Sequence, residues 1–189
     1  MRIVLLGAPG SGKGTQAVRL KAALQIAHIS TGDLLRAQVA AGTPLGLSAK
    51  AVMEAGKLVS DDIVLGMLED RLAQPDAQAG FILDGYPRNL AQAGALDALL
   101  TRLGKPLDVA VLLEISNDLL FARISGRALA EGRKDDNPET VRERLRVYDT
   151  QTAPLIAHFR SLGKLSAVDG TGTMDEVFAR IVAAVHASR

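Results

Sequence analysis

Near its start the chain reads Gly7-Ala8-Pro9-Gly10-Ser11-Gly12-Lys13-Gly14-Thr15, directly after the apolar run Ile3-Val4-Leu5-Leu6. Glycine, lysine and a hydroxyl at this spacing suit the holding of phosphate. Glycines let backbone N–H groups converge on an oxyanion with no Cβ in the way. A helix opening there adds a favourable dipole end, and Lys13 brings a mobile charge to the terminal phosphates. The general pattern G-x-x-x-x-G-K-[ST] fits Gly7 to Lys13, then asks for a Mg²⁺-reaching hydroxyl where this chain has Gly14, with Thr15 one place late. A glycine-rich turn with no ligand is the plain alternative, and lysine at this spacing argues against it.

Further cations lie beside other punctuated stretches: Arg36 in Ser30-Thr31-Gly32-Asp33-Leu34-Leu35-Arg36, Arg88 after Asp84-Gly85-Tyr86-Pro87, then Arg123, Arg127, Arg133 and Arg144. The planar guanidinium can hold two phosphate oxygens at once. Each arginine alone also reads as a solvated helix face or loop, Arg123 most of all. Asp84 closes the apolar run Phe81-Ile82-Leu83. A strand there would feed its carboxylate toward the phosphate site.

Elements that could position these groups are legible around them. Ile3 to Leu6, Phe81 to Leu83, Val109 to Leu113, Leu165 to Val168 and, more weakly, Ala27 to Ile29 read as short strands. Helical stretches between them predict βα alternation and a parallel sheet. Thr43-Pro44, Ser60-Asp61-Asp62 and Asn137-Pro138 read as helix starts, the last opening a helix through Arg142, Leu145 and Tyr148. Met174, Val177, Phe178, Ile181, Val182 and Val185 share one helical face, behind a Thr173/Glu176 capping box. Residues 126–136 lack periodicity and read as a loop and candidate lid.

Composition narrows the class. The 189 residues are 48% hydrophobic and 23% charged, as in one ordinary globular domain. With no cysteine, disulfides and thiolate zinc sites are excluded, and a reducing cytoplasm is the expected compartment. A net charge of +1 and 3% aromatic residues leave no field or stacking platform for nucleic acid. No stretch approaches the roughly 20 apolar residues of a membrane span. The three histidines, His28, His158 and His186, lack metal-ligand spacing and read as structural or surface residues. Guanine-nucleotide switches would need an N-K-x-D motif, which is absent, so a small kinase is the remaining class.

Four stretches in order and register carry a resemblance: "GAPGSGKGT", "STGDLLR" at 30 to 36, "FILDGYPRNLAQA" at 81 to 93 and "GRKDDNPETVRERL" at 132 to 145. Together they resemble the adenylate kinases of the nucleoside-monophosphate kinase family over essentially the whole chain. The resemblance implies an α/β fold of the P-loop NTPase type, a five-stranded parallel sheet flanked by helices with two mobile insertions. Residues 1–29, 60–125 and 137–189 would form the core, 30–59 the monophosphate-binding lobe and 126–136 the short lid. It implies transfer of the γ-phosphoryl group of Mg-ATP to AMP, giving two ADP. ATP would meet Gly10, Ser11, Gly12, Lys13, Gly14, Thr15, Arg123, Arg127 and Gly172. AMP would meet Thr31, Arg36, Lys57, Leu58, Val59, Gly85, Tyr86, Pro87, Arg88, Gln92, Arg133 and Arg144. Lys13, Arg88, Arg127, Arg133 and Arg144 would act on the transferred group, and Asp84 would hold Mg²⁺ through water.

Gln92 would read the AMP base. The short, cysteine-free lid implies no zinc, and the expected species is a cytoplasmic monomer with no nucleic-acid or membrane partner. A UMP or CMP kinase of the same family, and a non-catalytic ATP-binding module, remain as rivals. Tyr86 stands where the family commonly has phenylalanine, so its hydroxyl, if buried, needs a partner. The pair Asp61-Asp62 is read as favouring a helix N-terminus, and Asp135-Asp136 as orienting Arg133 and neighbouring lid groups, with a hinge role as the alternative.

Overall fold

The structure is a computed structural model that describes residues 1–116, 118–124 and 137–188. Five strands form one parallel sheet: β1 (Arg2–Leu6), β2 (Ala27–Ser30), β3 (Phe81–Asp84), β4 (Val109–Glu114) and β5 (Leu165–Asp169), in the order β2-β3-β1-β4-β5. All five expected runs are strands, the weakest included. The flanking helices are α1 (Lys13–Leu24), α2 (Thr31–Ala40), α3 (Pro44–Glu54), α4 (Asp61–Leu72), α5 (Leu90–Arg102), α6 (residues 118–124), α7 (Pro138–Val147), α8 (Pro154–Ser161) and α9 (Met174–Ala187). The expected lid, with Arg127, Arg133, Asp135 and Asp136, lies outside the described residues.

A pleated strand turns alternate side chains to opposite faces, and β1 shows the consequence. Val4 and Leu6 join a core cluster with Leu83, Leu112, Leu68, Leu96, Leu155 and their neighbours. Ile3 and Leu5 join Ile82, Val111, Leu20, Ile181 and Val185 on the other side, under α1 and α9. With both faces covered, the strands read as continuous apolar runs. The pairing β1–β3 sets Leu5 opposite Asp84, so the end of β1 emerges beside the Asp84 carboxylate. The strand order reverses about β1, between β3 and β4. In open α/β sheets that is the place for ligands, at the carboxyl ends of the strands.

The helix starts follow from their caps. Thr43 and Asn137 accept from Gly46 N and Thr140 N, each ahead of a proline at the first helical position. Thr173 and Glu176 form the capping box. Ser60 makes no side-chain cap, so α4 starts with the acidic pair Asp61 and Asp62 in its first turn instead. Two expectations are corrected. Met174, placed on the buried face of α9, is 64% exposed and borders the cleft described below. The helix from Pro138 ends at Val147 and continues as a wider π-turn over Tyr148–Thr152, with Ala153 N donating to Tyr148 O at 2.8 Å. Pro154 follows directly. It lacks an N–H and its ring would clash with the carbonyl four residues back, so the wider turn relieves the ladder there.

Tyr86 lies in the first core cluster at 1% exposure, and its hydroxyl has no partner among the described residues. Burial, helped by the Asp61 charge, pushes its pKa up to about 12. An unsatisfied buried hydroxyl costs about 1 kcal/mol or more. Tyr86→Phe is therefore expected to raise the melting temperature by about 2–4 °C and leave ADP formation unchanged. A fall of that size in a thermal scan would show that the hydroxyl is partnered after all.

Candidate active site

Two glycine conformations and one side chain shape the loop between β1 and α1. Gly10 sits at φ +83°, and a Cβ there would lie 2.6 Å from Ile124 Cγ1. Gly12 caps α1 in the left-handed region at φ 96°. Lys13 Nζ lies over the loop, donating to Gly7 O at 2.7 Å and Ala8 O at 3.0 Å. The ammonium thus sits at the loop mouth, where the α1 amide groups also begin. Arg123 of α6 spans the loop and the end of β5, with contacts to Ser11 O at 3.3 Å and Gly170 O at 3.1 Å.

Gly14 acquires a physical reason here. A Cβ on it would point at Asp84 Oδ2, 3.5 Å away. Any serine or threonine hydroxyl at position 14 would enter the space in front of that carboxylate. Glycine leaves it open.

Burial works to raise the Asp84 pKa. The His28 contact, the Lys13 charge, the His28 charge and Arg88 outweigh it, holding the group below the ordinary carboxylate value. His28 Nε2 lies 3.7 Å from Asp84 Oδ2, too far for a hydrogen bond, and has no hydrogen-bond partner among the described residues. An ionised carboxylate beside a buried nitrogen without a partner suits a hydrated divalent cation. One bound water could serve both groups.

A second cationic centre faces the loop. Gly85, at φ +82°, is wedged where a Cβ would come within 2.9 Å of Thr31 Oγ1 and 3.2 Å of Arg88 Nη2. Its carbonyl accepts from Thr31 Oγ1 and from Arg88 Nε, both at 2.9 Å. Thr152 of the π-turn donates to Arg88 O at 2.7 Å. Arg36 pairs with Asp33 in the first turns of α2, and Arg144 projects from α7.

One cleft of about 870 Å³ joins the two centres, a volume in the upper range of small-molecule sites. Lys13, Asp84, Arg36, Arg88, Arg123 and Arg144 all line it, as do Gly10, Ser11, Gly12, Gly14, Thr15, Pro87 and Gly172. A side recess is bordered by Thr31, Lys57, Leu58, Val59, Gly85 and Gln92, with Arg36, Arg88 and Arg144 at the join. Of the expected residues within the described chain, Tyr86 alone borders neither space. It packs in the core, so any role in the site is through its backbone. Arg127 and Arg133 are outside the described residues.

Sequence reasoning missed several neighbours. His28, read as structural or surface, borders the cleft beside Asp84, and Met174 and Val177 line the end near Gly172. Asp61 was read for its helix end alone, yet Gln92 Nε2 donates to its Oδ1 at 2.7 Å.

A parallel sheet with a phosphate loop after its first strand, opening onto a cleft with a second arginine cluster, defines a phosphotransferase for phosphorylated substrates. Comparison with known proteins is specific. The family model described as adenylate kinase matches residues 5–164. A relative from Stenotrophomonas maltophilia, named adenylate kinase, is 63% identical over 187 residues, which is 99% of this chain and 100% of the relative. Another of that name from Xanthomonas campestris is 66% identical over 181 residues, 96% of this chain and 97% of the relative. The chain belongs to the adenylate kinase family. Its activity is that family's phosphoryl transfer from ATP to AMP.

Proposed function

We propose that ATP is held with its terminal phosphates on the Gly10–Thr15 loop and Lys13, and its base against Arg123 and Gly172. AMP lies with its phosphate between Arg36, Arg88 and Arg144, and its base toward Thr31, Lys57, Leu58, Val59 and Gln92. The observation that carries this reading is the single cleft lined by both Lys13 and Arg88. Two polyanions brought together repel, and fixed cations between them offset that repulsion at the moment of transfer. By family resemblance Arg127 and Arg133 complete the clamp from residues 126–136.

The attacking atom is an AMP phosphate oxygen, anionic at neutral pH, so no protein group has to remove a proton. Positioning and charge stabilisation carry the step. The depressed pKa of Asp84, the unpartnered His28 nitrogen and the open space over Gly14 support a Mg²⁺ held through water and arriving with the nucleotide. Bound there, the ion would neutralise charge on the ATP phosphates. A hard, oxygen-ligated ion suits Asp84 and phosphate, and zinc is not part of the proposal.

We assign residues 30–59 to a lobe that closes on AMP and 126–136 to a short lid, closure excluding water so that ATP is not hydrolysed in place of transfer. Among the described residues no helix is long and apolar enough to cross a membrane. The absence of cysteine from the sequence supports a cytoplasmic setting, and a monomer is proposed, with no nucleic-acid partner.

A turnover panel of AMP, dAMP, GMP, UMP and CMP with Mg-ATP tests the acceptor. AMP is expected to exceed GMP, UMP and CMP by at least about 100-fold in kcat/KM, as a site built to hydrogen-bond its base allows. UMP or CMP turned over faster would move the chain to the pyrimidine branch of the family. ATP binding with no ADP formed from any monophosphate would leave a binding module.

A further inference from the structure

Gln92 is held at both ends of its amide. Its Oε1 accepts from Arg88 N at 2.7 Å, and its Nε2 donates to Asp61 Oδ1 at 2.7 Å. The two partners differ in kind: a backbone N–H only donates and a carboxylate only accepts. The amide is therefore left with one orientation. Gln92 is only 2% exposed, yet it borders the side recess.

Asp61 is itself braced. Asn89 Nδ2 approaches its two oxygens at 3.3 and 3.5 Å, while Asn89 Oδ1 accepts from Gln92 N at 2.8 Å to cap α5. Among the described residues the Asp61 carboxylate accepts only from Asn89 and Gln92, not from the amides of its own helix. A charge serving only the α4 N-terminus does not account for that aim.

A primary amide has a second N–H and a second lone pair. These are what Gln92 has left for a base. A 6-aminopurine presents a ring-nitrogen acceptor beside an amino donor. A 6-oxopurine presents the same two positions with donor and acceptor exchanged. Turning the amide over exchanges the order that the protein offers, so whatever fixes the amide also fixes which base is read.

We infer that Asp61 is a positioning residue for acceptor recognition, locking the Gln92 amide in the orientation that favours a 6-amino base over a 6-oxo base. The inference rests on the proposed reading of Gln92 as the contact to the AMP base. Asp61 touches neither substrate in this account and acts only through Gln92.

Steady-state kinetics with AMP and GMP, on Asp61→Ala, Asp61→Asn, Gln92→Ala and the Asp61→Ala/Gln92→Ala double variant, test it. Asp61→Ala is expected to raise KM for AMP about tenfold, the loss of one charge-assisted hydrogen bond. It should leave kcat and KM for ATP within about twofold. The double variant should match Gln92→Ala alone, because two groups acting as one unit are not additive. Asp61→Asn keeps the shape and can accept or donate, so it no longer enforces the orientation from its side and leaves the Arg88 N–H to hold the amide alone. It should keep the melting temperature while the AMP-over-GMP ratio of kcat/KM narrows.

An unchanged ratio in Asp61→Asn would overturn the inference, even if the alanine variant does not fold. Additive effects in the double variant would overturn it too, as would a lower melting temperature with both KM values unchanged. Gln92→Ala with an unchanged KM for AMP would remove the base-reading role and this inference with it. A raised KM in Gln92→Ala beside a silent Asp61→Ala would remove the inference alone.

Discussion

Arg88→Ala is expected to lower kcat for ADP formation by about 10²–10³-fold, the loss seen when one donor aimed at developing charge is removed. The expectation rests on where the arginine sits. Its Nε is anchored on Gly85 O at 2.9 Å, which sets the guanidinium at the end of β3, in the cleft that also holds Lys13. The fold should survive the change, because Arg88 also makes two hydrogen bonds through its backbone. Arg88 N donates to Gln92 Oε1 at 2.7 Å, and Arg88 O accepts from Thr152 at 2.7 Å. Alanine keeps both. The Nε bond to Gly85 O is lost, a cost of about 1 kcal/mol, or a few degrees in melting temperature. Arg88→Lys keeps the charge and loses the planar fork, so it should recover only part of the rate. Turnover of Arg88→Ala within about tenfold of the parent, in a protein shown to be folded, would remove Arg88 from the phosphate clamp.

Local rules make much of this molecule legible in its sequence. The strands announced themselves as short apolar runs, because a doubly covered parallel sheet needs apolar residues on both faces. The caps at Thr43, Asn137 and Thr173 did so because each satisfies orphan helix amides within three residues. The phosphate loop is a contiguous stretch, and so is Asp84-Gly85-Tyr86-Pro87-Arg88.

What stayed hidden depends on strand order and on contacts between distant segments. His28 looked unremarkable until β2 was paired with β3, which sets Ser30 opposite Asp84 and brings the histidine to the same carboxylate. The Asp61–Gln92 contact crosses 31 residues and joins the starts of two helices. Nothing within α4 distinguishes that acid from its neighbour Asp62, so helix-end electrostatics was the whole of the local reading. Tyr86 shows the opposite failure. The motif carried it into the expected site as a unit, but its ring turns into the core while Gly85 and Arg88 on either side face the cleft. Met174 departs from its helical stripe for a related reason. A periodic pattern assigns a face to every turn, and at the first residue of α9 that face has run past the core to the cleft edge.

Lys13→Ala is expected to reduce transfer by about 10²–10³-fold as well, with ATP affinity changed less than about tenfold. The two quantities separate because, on the proposed reading, the loop would hold phosphate mainly through backbone amides, which the substitution leaves in place. Arg123 also stays, held on Ser11 O at 3.3 Å and Gly170 O at 3.1 Å. The charge of Lys13 matters most when negative charge migrates between the two nucleotides, and an interaction stronger in the transition state than in the ground state appears in kcat. Lys13 and Gly7 line the open cleft, so water can replace the ammonium on the carbonyls it now contacts, Gly7 O at 2.7 Å and Ala8 O at 3.0 Å. Loss of the lysine also removes one of the charges that hold the Asp84 pKa down. That carboxylate has its pKa depressed in the folded state, so its ionised form is present above the folded pKa and is lost as pH falls through it. Without Lys13 the folded pKa rises. In the nucleotide-free protein the Asp84 carboxyl, followed by NMR pH titration, should then titrate at higher pH in Lys13→Ala, a shift that a purely steric role for Lys13 would not give. Calorimetric ATP titration beside kcat separates the outcomes. ATP affinity falling in step with the rate, with an unmoved Asp84 titration, would make Lys13 a binding group without a special part in transfer.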